Sequence, residues 1–262
     1  MKREAGCRHL TPRGLCVESA GIVGRFFEAR KHTIFARSAR ISKLFTRIAR
    51  EIHMAVRAGG PDPESNPALR RAIQNARSGS MPKDKIESAI KRASDKDTSS
   101  YDEAIYEGYG PHGIALVVVA ATDNPTRTVA NVRNRFNKGG GNLGTEGSVT
   151  FGFERMGVFR IKPDGVDRDE LELELIDHGL QEMGEGTSEG GDEVLVIRCA
   201  LADYGTMQTA LEERSIEVVE SAIEFIAQTP MELDDDKAEE VFKLIAMLEE
   251  DDDVQQVFHN MG

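Results

Sequence analysis

Lysine and arginine side chains clustered early in this sequence are suited to one chemical task, the binding of a polyanion. Residues 1–98 contain 21 Lys+Arg and 10 Asp+Glu, whereas residues 99–262 contain 12 and 35, so the net charge of −12 conceals a basic first segment. Clustered cations gain free energy by displacing counterions from a phosphate backbone. The sequence therefore predicts a nucleic-acid partner for residues 1–98. The alternative is a solvated basic face that has no partner.

The basic residues follow a helical period. At 100° per residue, an apolar stripe that includes Leu44, Ile48 and Ile52 lies opposite a basic stripe that includes Arg47 and Arg50. Because the apolar stripe can pack inward, we expect the cations to contact phosphates outside the helix. The predicted nucleic-acid-binding residues are Arg30, Lys31, Arg37, Arg40, Lys43, Arg47, Arg50, Arg70, Arg71, Arg77, Lys83, Lys85, Lys91 and Arg92.

Patterns for catalysis and for cofactor binding are weaker. Gly139, Gly141 and Gly144 have the dinucleotide-binding spacing G-x-G-x-x-G, but they follow a predicted helix instead of a strand, which favours a turn between domains. The histidines are scattered, and no H-E-x-x-H motif occurs. The sequence predicts a protein that is not an enzyme and that has no cofactor.

Two acidic runs, residues 234–236 and 251–253, flank the last predicted helix and raise the question of a metal site. Carboxylates are favourable at the beginning of a helix and unfavourable at its end. We therefore expect the first run to cap the helix and the second to form a solvated turn, with no metal bound at either.

Cysteine usage and hydropathy indicate the compartment. Cys7, Cys16 and Cys199 have no paired spacing, which argues against a disulfide framework and a zinc site and favours a reducing environment. The longest apolar run, residues 114–121, is too short to cross a bilayer. We expect a cytoplasmic protein without membrane contact.

Three helices are predicted to position the cations. The first begins near residue 33 and ends at Gly59-Gly60-Pro61, where glycine followed by proline is typical of a helix end. The second begins at Asn66-Pro67, a capping residue followed by proline at the first helical position. The third covers about residues 82–93, and the polar residues 94–100 read as a hinge.

The rest of the chain predicts small antiparallel sheets backed by helices, an α+β class. Strands are expected at residues 105–109, 114–121, 148–153, 157–161, 193–201, 216–226 and 254–258. Helices are expected at residues 126–138, 168–178, 204–214 and 237–249.

Residues 1–22 have neither a helical nor a strand period. A secretory signal would need an apolar core, which this segment lacks, and Glu4 and Glu18 are unfavourable in a transit peptide. The remaining alternatives are a disordered native extension and a mis-called start. We prefer translation that begins at Val23.

Several motifs, in order along the chain, resemble those of the YebC/PmpR family. They are Gly59-Gly60-Pro61-Asp62-Pro63, Asn66-Pro67, Met81-Pro82-Lys83-Asp84, Tyr106-Glu107-Gly108-Tyr109-Gly110-Pro111, Thr122-Asp123-Asn124, Gly140-Gly141-Asn142-Leu143-Gly144 and Asp252-Asp253-Val254-Gln255. The resemblance implies three domains: a helical domain at 23–98, a middle α+β domain at 101–141 and 230–262, and an α+β domain at 142–229 inserted into the middle one.

The resemblance also implies a function. Family members are generally described as DNA-binding transcriptional regulators, whereas mitochondrial relatives are translational activators and bacterial members have been linked to the ribosome. Two hypotheses follow: a DNA-binding transcriptional regulator, or a ribosome-associated translation factor that binds structured RNA. No helix-turn-helix pattern and no RNP motif is convincing, so we expect backbone contact without base readout. We expect a monomer.

Overall fold

The computed structural model describes residues 41–95, 100–187 and 191–262. Contacts divide the chain into two compact units, Met1–Lys43 and Leu44–Gly262. Apart from residues 41–43, the first unit lies outside the described residues, and so does the predicted start of translation. The predicted binding residues that lie outside are Arg30, Lys31, Arg37 and Arg40.

Three helices begin the described structure, as the sequence predicts. The described part of α1 covers residues 41–59, α2 covers Pro67–Ser78, and α3 covers Lys83–Ser94. Their apolar faces form one core, in which Ile52 and Leu69 are fully buried. Because each helix has a single apolar stripe, packing the three together leaves their polar faces outside.

Asn66 fixes the connection between α1 and α2. Its Oδ1 accepts a hydrogen bond from the backbone N–H of Leu69 at 3.0 Å, which confirms the predicted cap of α2. Its Nδ2 donates to the carbonyl oxygens of Ala55 at 2.7 Å and Gly60 at 2.9 Å, at the end of α1. Gly60 has a φ of 88°, a conformation that favours glycine and lets the chain leave the helix. One amide side chain therefore sets the angle between two helices.

Two antiparallel sheets follow in the described residues, together with four helices. The strands are β1 Asp102–Tyr109, β2 Ala115–Thr122, β3 Asn142–Leu143, β4 Phe153–Ile161, β5 Leu180–Thr187, β6 Glu193–Ala200, β7 Val218–Ala227 and β8 Val254–His259. The helices are α4 Pro125–Lys138, α5 Arg168–Ile176, α6 Tyr204–Glu213 and α7 Asp235–Glu249.

The first sheet has the strand order β3-β1-β2-β8. Its central strand β2 is almost completely buried, as its continuous apolar run predicts. Helices α4 and α7 contribute Phe136, Val241 and Leu244 to the core of this sheet. The helix α7 is capped by Asp234, whose carboxylate accepts from the N–H of Lys237 at 3.0 Å, so the capping role predicted for the first acidic run is confirmed.

The second sheet has the strand order β5-β6-β4-β7. Helices α5 and α6 pack on it, and the core includes Phe159, Leu171, Ile197 and Met207. The α+β class predicted from the sequence is therefore correct: helices come first and two small antiparallel sheets follow.

Residues 148–152 are not the strand that the sequence predicts. Residues Thr150–Gly152 form a 3-10 turn, and a single strand, β4, begins at Phe153. The backbone N–H groups of Val149 and Thr150 donate to the buried carboxylate of Glu107, so they cannot join a strand ladder. The strand expected at residues 216–226 lies at Val218–Ala227.

Two strands have no counterpart in the sequence prediction. β3 is only two residues long, which is too short for a period. β5 contains Gly184 and Gly186, and glycine is depleted in strands, so its sequence gives little strand signal. Its antiparallel pairing with the apolar β6 makes it a strand.

We predict that Gly108→Ala destabilises the first sheet. A Cβ at this position would lie 2.6 Å from the carbonyl oxygen of Asn142 and 2.8 Å from the ring of Phe136, and neither the backbone nor a buried ring can move away easily. We expect the free energy of unfolding in urea to fall by about 1–3 kcal/mol.

The matched control is Gly184→Ala, because this strand glycine has no atom within 4 Å of its added Cβ. Its free energy of unfolding should change by less than about 0.5 kcal/mol. Equal losses in the two variants would contradict the close-approach explanation.

Candidate nucleic-acid interface

The predicted basic residues that the structure describes fall into two groups by exposure. Arg47, Arg50, Arg70 and Arg71 are half-buried. The exposed group consists of Lys43, Arg77, Lys83, Lys85, Lys91 and Arg92. The helical period alone does not separate these groups, because another part of the chain covers one side of the helices.

The helix α2 contacts the second sheet and its helix α6. Arg70 forms an ion pair with Glu212 at 3.5 Å, and the guanidinium of Arg71 lies 5.5 Å from the centre of the Tyr204 ring. About one turn further along α2, Asn75 exchanges two hydrogen bonds with the backbone of Ser221 in β7, at 2.7 and 3.0 Å. These contacts make Arg70 and Arg71 part of an intramolecular interface.

Arg50 likewise has partners within the chain. Its guanidinium lies 3.2 Å from the carboxylate of Asp253, donates to the carbonyl oxygens of Ala121 (3.1 Å) and Asp252, and lies 5.1 Å from the centre of the Tyr101 ring. The side chain of Arg50 is 13% exposed. The helix α1 is thereby joined to the first sheet.

The second acidic run is not the solvated turn that the sequence predicts. Asp251 and Asp253 are buried, and only Asp252 is exposed. Asp251 lies 3.3 Å from Arg135 of α4, so the run follows α7 but faces cations from α1 and α4. The unfavourable interaction with the end of α7 is outweighed by these ion pairs.

Asp253 is the centre of this network. Its carboxylate accepts hydrogen bonds from Arg127 at 2.9 Å and from the hydroxyl of Thr128 at 2.7 Å, and Thr128 also bonds with Thr122 at 2.7 Å. Burial opposes ionisation of Asp253, but the hydrogen bonds and the charges of Arg50 and Arg127 outweigh it and lower the pKa of this carboxyl. The ionised carboxylate therefore connects α1 with α4.

The exposed cations of α2 and α3 differ from the covered arginines. Lys83 is 3.6 Å from Glu87 in a surface pair, a contact that contributes little. The Nζ of Lys85 lies 5.5 Å from the centre of the Phe45 ring. Among the residues that the structure describes, Arg77, Lys85 and Lys91 have no carboxylate within ion-pair distance. Their charges face solvent.

The glycine-rich segment after α4 forms a connection between the two sheets. Gly139 caps α4, and a Cβ on Gly141 would lie 2.5 Å from the carbonyl oxygen of Tyr109. The carboxylate of Glu107 accepts hydrogen bonds from the N–H groups of Gly147, Val149 and Thr150 at 2.7–2.8 Å. The segment follows a helix in the structure, so the strand context of a dinucleotide site is missing.

The anchoring role of Glu107 was not found from the sequence. The residue is 4% exposed, and although burial opposes its ionisation, the backbone donors hold its pKa below the usual value. No local pattern marks this role, because the three donors lie 40, 42 and 43 residues further along the chain.

Other residue types give no further site. In the described ranges, no group of three or more His, Cys, Asp or Glu side chains has a geometry that could hold a metal ion. Burial raises the pKa of the Cys199 thiol to about 11, so the thiolate nucleophile is disfavoured there. No helix within 41–95, 100–187 or 191–262 combines the length and the apolar content needed to cross a bilayer.

These features define a class of protein: an α+β chain in which a cation-rich set of helices precedes two small antiparallel sheets. Comparison with known proteins identifies the family. The sequence model of one family domain, the TACO1/YebC protein N-terminal domain, matches residues 25–96. A second family model, the TACO1/YebC second and third domain, matches residues 101–261. The chain belongs to the TACO1/YebC family.

Individual relatives agree with this assignment. A probable transcriptional regulatory protein of Anaeromyxobacter dehalogenans is 57% identical over 240 residues, 92% of this chain and 100% of the relative. A protein of the same description from Myxococcus xanthus is 58% identical over the same shares. The crystal structure of a conserved hypothetical protein from Aquifex aeolicus superposes with a TM-score of 0.75 at 38% identity, covering 84% of this chain and 90% of that one.

We predict that Asp253→Asn destabilises the folded chain, because Arg50 and Arg127 lose their shared carboxylate. The free energy of unfolding at pH 7 should fall on the order of 2 kcal/mol. The native pKa lies below the unfolded value of about 3.9, so the contribution of Asp253 is complete above that pH and decreases as pH falls through the native pKa. The difference between the variant and the parent chain should therefore shrink below about pH 4.

Asp252→Asn is the matched control, since it removes the same charge from the exposed neighbour. Urea titrations from pH 7 to pH 3 would measure both variants. A loss for Asp252→Asn as large as that for Asp253→Asn would mean that overall charge, and not the buried network, is responsible.

Proposed function

We propose that this protein is a non-enzymatic, cytoplasmic regulator of gene expression that binds duplex DNA through the exposed cations of α2 and α3. It acts as a monomer and contacts the phosphate backbone without base readout. In this proposal the helical domain at 23–98 binds DNA, and the α+β domains at 101–141 with 230–262 and at 142–229 support it.

The observation that carries the proposal is the exposure of Arg77, Lys85 and Lys91. They lie in a segment with a large excess of cations, and they have no carboxylate partner within the described part of the chain. Two exposed arginines of the second sheet and its helices, Arg155 and Arg168, each have a glutamate beside them. Cations left without a local counter-charge suit a partner that brings phosphates.

The descriptions of the relatives support a regulatory role. The proteins of Anaeromyxobacter dehalogenans and Myxococcus xanthus are described as probable transcriptional regulatory proteins. High identity over nearly the whole chain makes a shared role the simplest inference, and DNA is the polyanion that a regulator of transcription would bind.

The use of the buried carboxylates supports a non-enzymatic role. Glu107 accepts three backbone hydrogen bonds, Asp253 contacts two arginines and a threonine, and Asp251 contacts Arg135. Both Glu107 and Asp253 are stabilised as anions, so neither is prepared to take up a proton near neutral pH.

We predict that the triple variant Arg77→Gln/Lys85→Gln/Lys91→Gln binds duplex DNA more weakly at every sequence tested. If each side chain contacts a phosphate, the slope of log affinity against log salt concentration should become shallower by about 2.7. Fluorescence anisotropy with a labelled 20-base-pair duplex at four salt concentrations measures this slope, and circular dichroism checks that the variant stays folded.

The control is Lys162→Gln/Arg168→Gln/Lys243→Gln, which removes three positive charges from surface ion pairs outside α2 and α3. Its salt slope should match that of the parent chain. An unchanged slope in the first variant would mean that these cations are only a solvated face.

A structured RNA hairpin at the same salt concentrations separates the two nucleic-acid hypotheses. Tighter binding to the hairpin than to the duplex, together with crosslinking to ribosomal RNA in cells, would contradict the DNA proposal and favour a ribosome-associated translation factor. Crosslinking to chromosomal DNA is the expected result.

A further inference from the structure

The helix α4 has an unusual composition for its position in the chain. Residues 99–262 carry 12 Lys+Arg and 35 Asp+Glu, yet the sequence of α4 contains four basic residues and no acidic one. Three asparagines, Asn131, Asn134 and Asn137, lie inside the helix, although asparagine is a poor helix former. Helix stability alone does not account for this choice of residues.

The exposed face of α4 is a continuous polar surface. At 100° per residue, Arg127, Asn131, Asn134 and Lys138 fall within an arc of about 60°, and all four are exposed. A neighbouring row contains Ala130, Arg133 and Asn137, which are also exposed. The opposite side of the helix carries the buried residues Thr128, Val132 and Phe136.

The side chains of this face have few partners. Within the described ranges, Arg133 and Lys138 form no ion pair, and the amides of Asn131, Asn134 and Asn137 form no side-chain hydrogen bond. Amides and cations donate hydrogen bonds to phosphate oxygens, and no carboxylate of α4 competes with them.

The α4 face begins beside the basic helix α1. Asp253 contacts Arg50 of α1 at 3.2 Å and Arg127 of α4 at 2.9 Å, so the beginning of α4 lies beside α1. From Arg127 to Lys138 the face extends about 16 Å, the length occupied by roughly five phosphates of one DNA strand.

We propose that the exposed face of α4 is a second contact with the DNA backbone, made chiefly by Arg133 and Lys138 with the asparagine amides beside them. This inference rests on the proposed function, and it extends the DNA-binding surface beyond the helical domain. In this proposal the surface contacts phosphates, which fix the position of the protein on the duplex and provide no base readout.

The test uses the full chain with Arg133→Gln/Lys138→Gln, titrated against the labelled 20-base-pair duplex at four salt concentrations. Loss of two phosphate contacts should make the salt slope shallower by about 1.8. The control Lys162→Gln/Arg168→Gln removes the same charge from surface ion pairs and should leave the slope unchanged. Circular dichroism confirms that each variant is folded.

The outcomes separate this inference from the proposed function. Suppose that the α4 variant keeps the salt slope of the parent chain while the triple variant of α2 and α3 has a shallower slope. This result overturns the α4 contact and leaves the proposed function standing. A parent chain that does not bind the duplex in a salt-dependent way, or that prefers the RNA hairpin, overturns both. A shallower slope in the α4 variant and not in its control supports the inference.

Discussion

The buried carboxylate of Asp253 is the interaction on which the arrangement of the described chain depends. It lies in the turn between α7 and β8 and contacts Arg50 of α1 and both Arg127 and Thr128 of α4. In a poorly solvated place each of these charges is favourable only while the others are present. The position of α1 on the first sheet is therefore specified by electrostatics as well as by apolar packing. The helix α2 contacts β7 in a different way, through the hydrogen bonds between Asn75 and Ser221.

Many arginines and lysines of this chain are neutralised by a carboxylate that lies beside them. In the second sheet, cations such as Arg160 and Arg198 lie beside glutamates, at 2.6 and 2.5 Å, so a carboxylate of the same sheet neutralises each of them. Within 41–95, 100–187 and 191–262, exposed cations without such neighbours include Arg77, Lys85 and Lys91 on α2 and α3 and Arg133 and Lys138 on the outer face of α4. A polyanion that approaches the chain is repelled by most of residues 99–262 and attracted to the part where carboxylates are sparse. In the proposed complex, the acidic segment therefore contributes to the orientation of the nucleic acid even where it makes no contact.

Local rules predicted local features well. Asn66 and the acidic run 234–236 were predicted to cap helices, because a cap depends on residues about three positions away. The buried β2 was predicted from a continuous apolar run. The class of fold followed from the order of helical and strand periods. Features that depend on distant partners were missed or wrong. The strand expected near residue 150 is a turn because Glu107, more than 40 residues earlier, accepts its N–H groups.

The candidate site shows the same division. The sequence correctly indicated which faces of α1 and α2 are polar, but a period cannot reveal that another part of the same chain covers Arg50 or Arg71. The run at residues 251–253 was placed in solvent because only its effect on the end of α7 was considered, while its partners lie in α1 and α4. Helical faces can be predicted from one sequence, whereas the partners of those faces require the tertiary arrangement.

The strand order of the first sheet has a consequence for the order of events during synthesis. β8 pairs with the central strand β2 and follows every other strand in the chain. All strands of the second sheet leave the ribosome before β8 does, so that sheet can fold first, whereas β2 keeps one edge open until translation reaches β8. The carboxylate that pairs with Arg50 arrives at the same late stage. Until then the nascent chain carries its basic helices without their intramolecular anion, and the exposed edge of β2 is the place where aggregation is most to be expected.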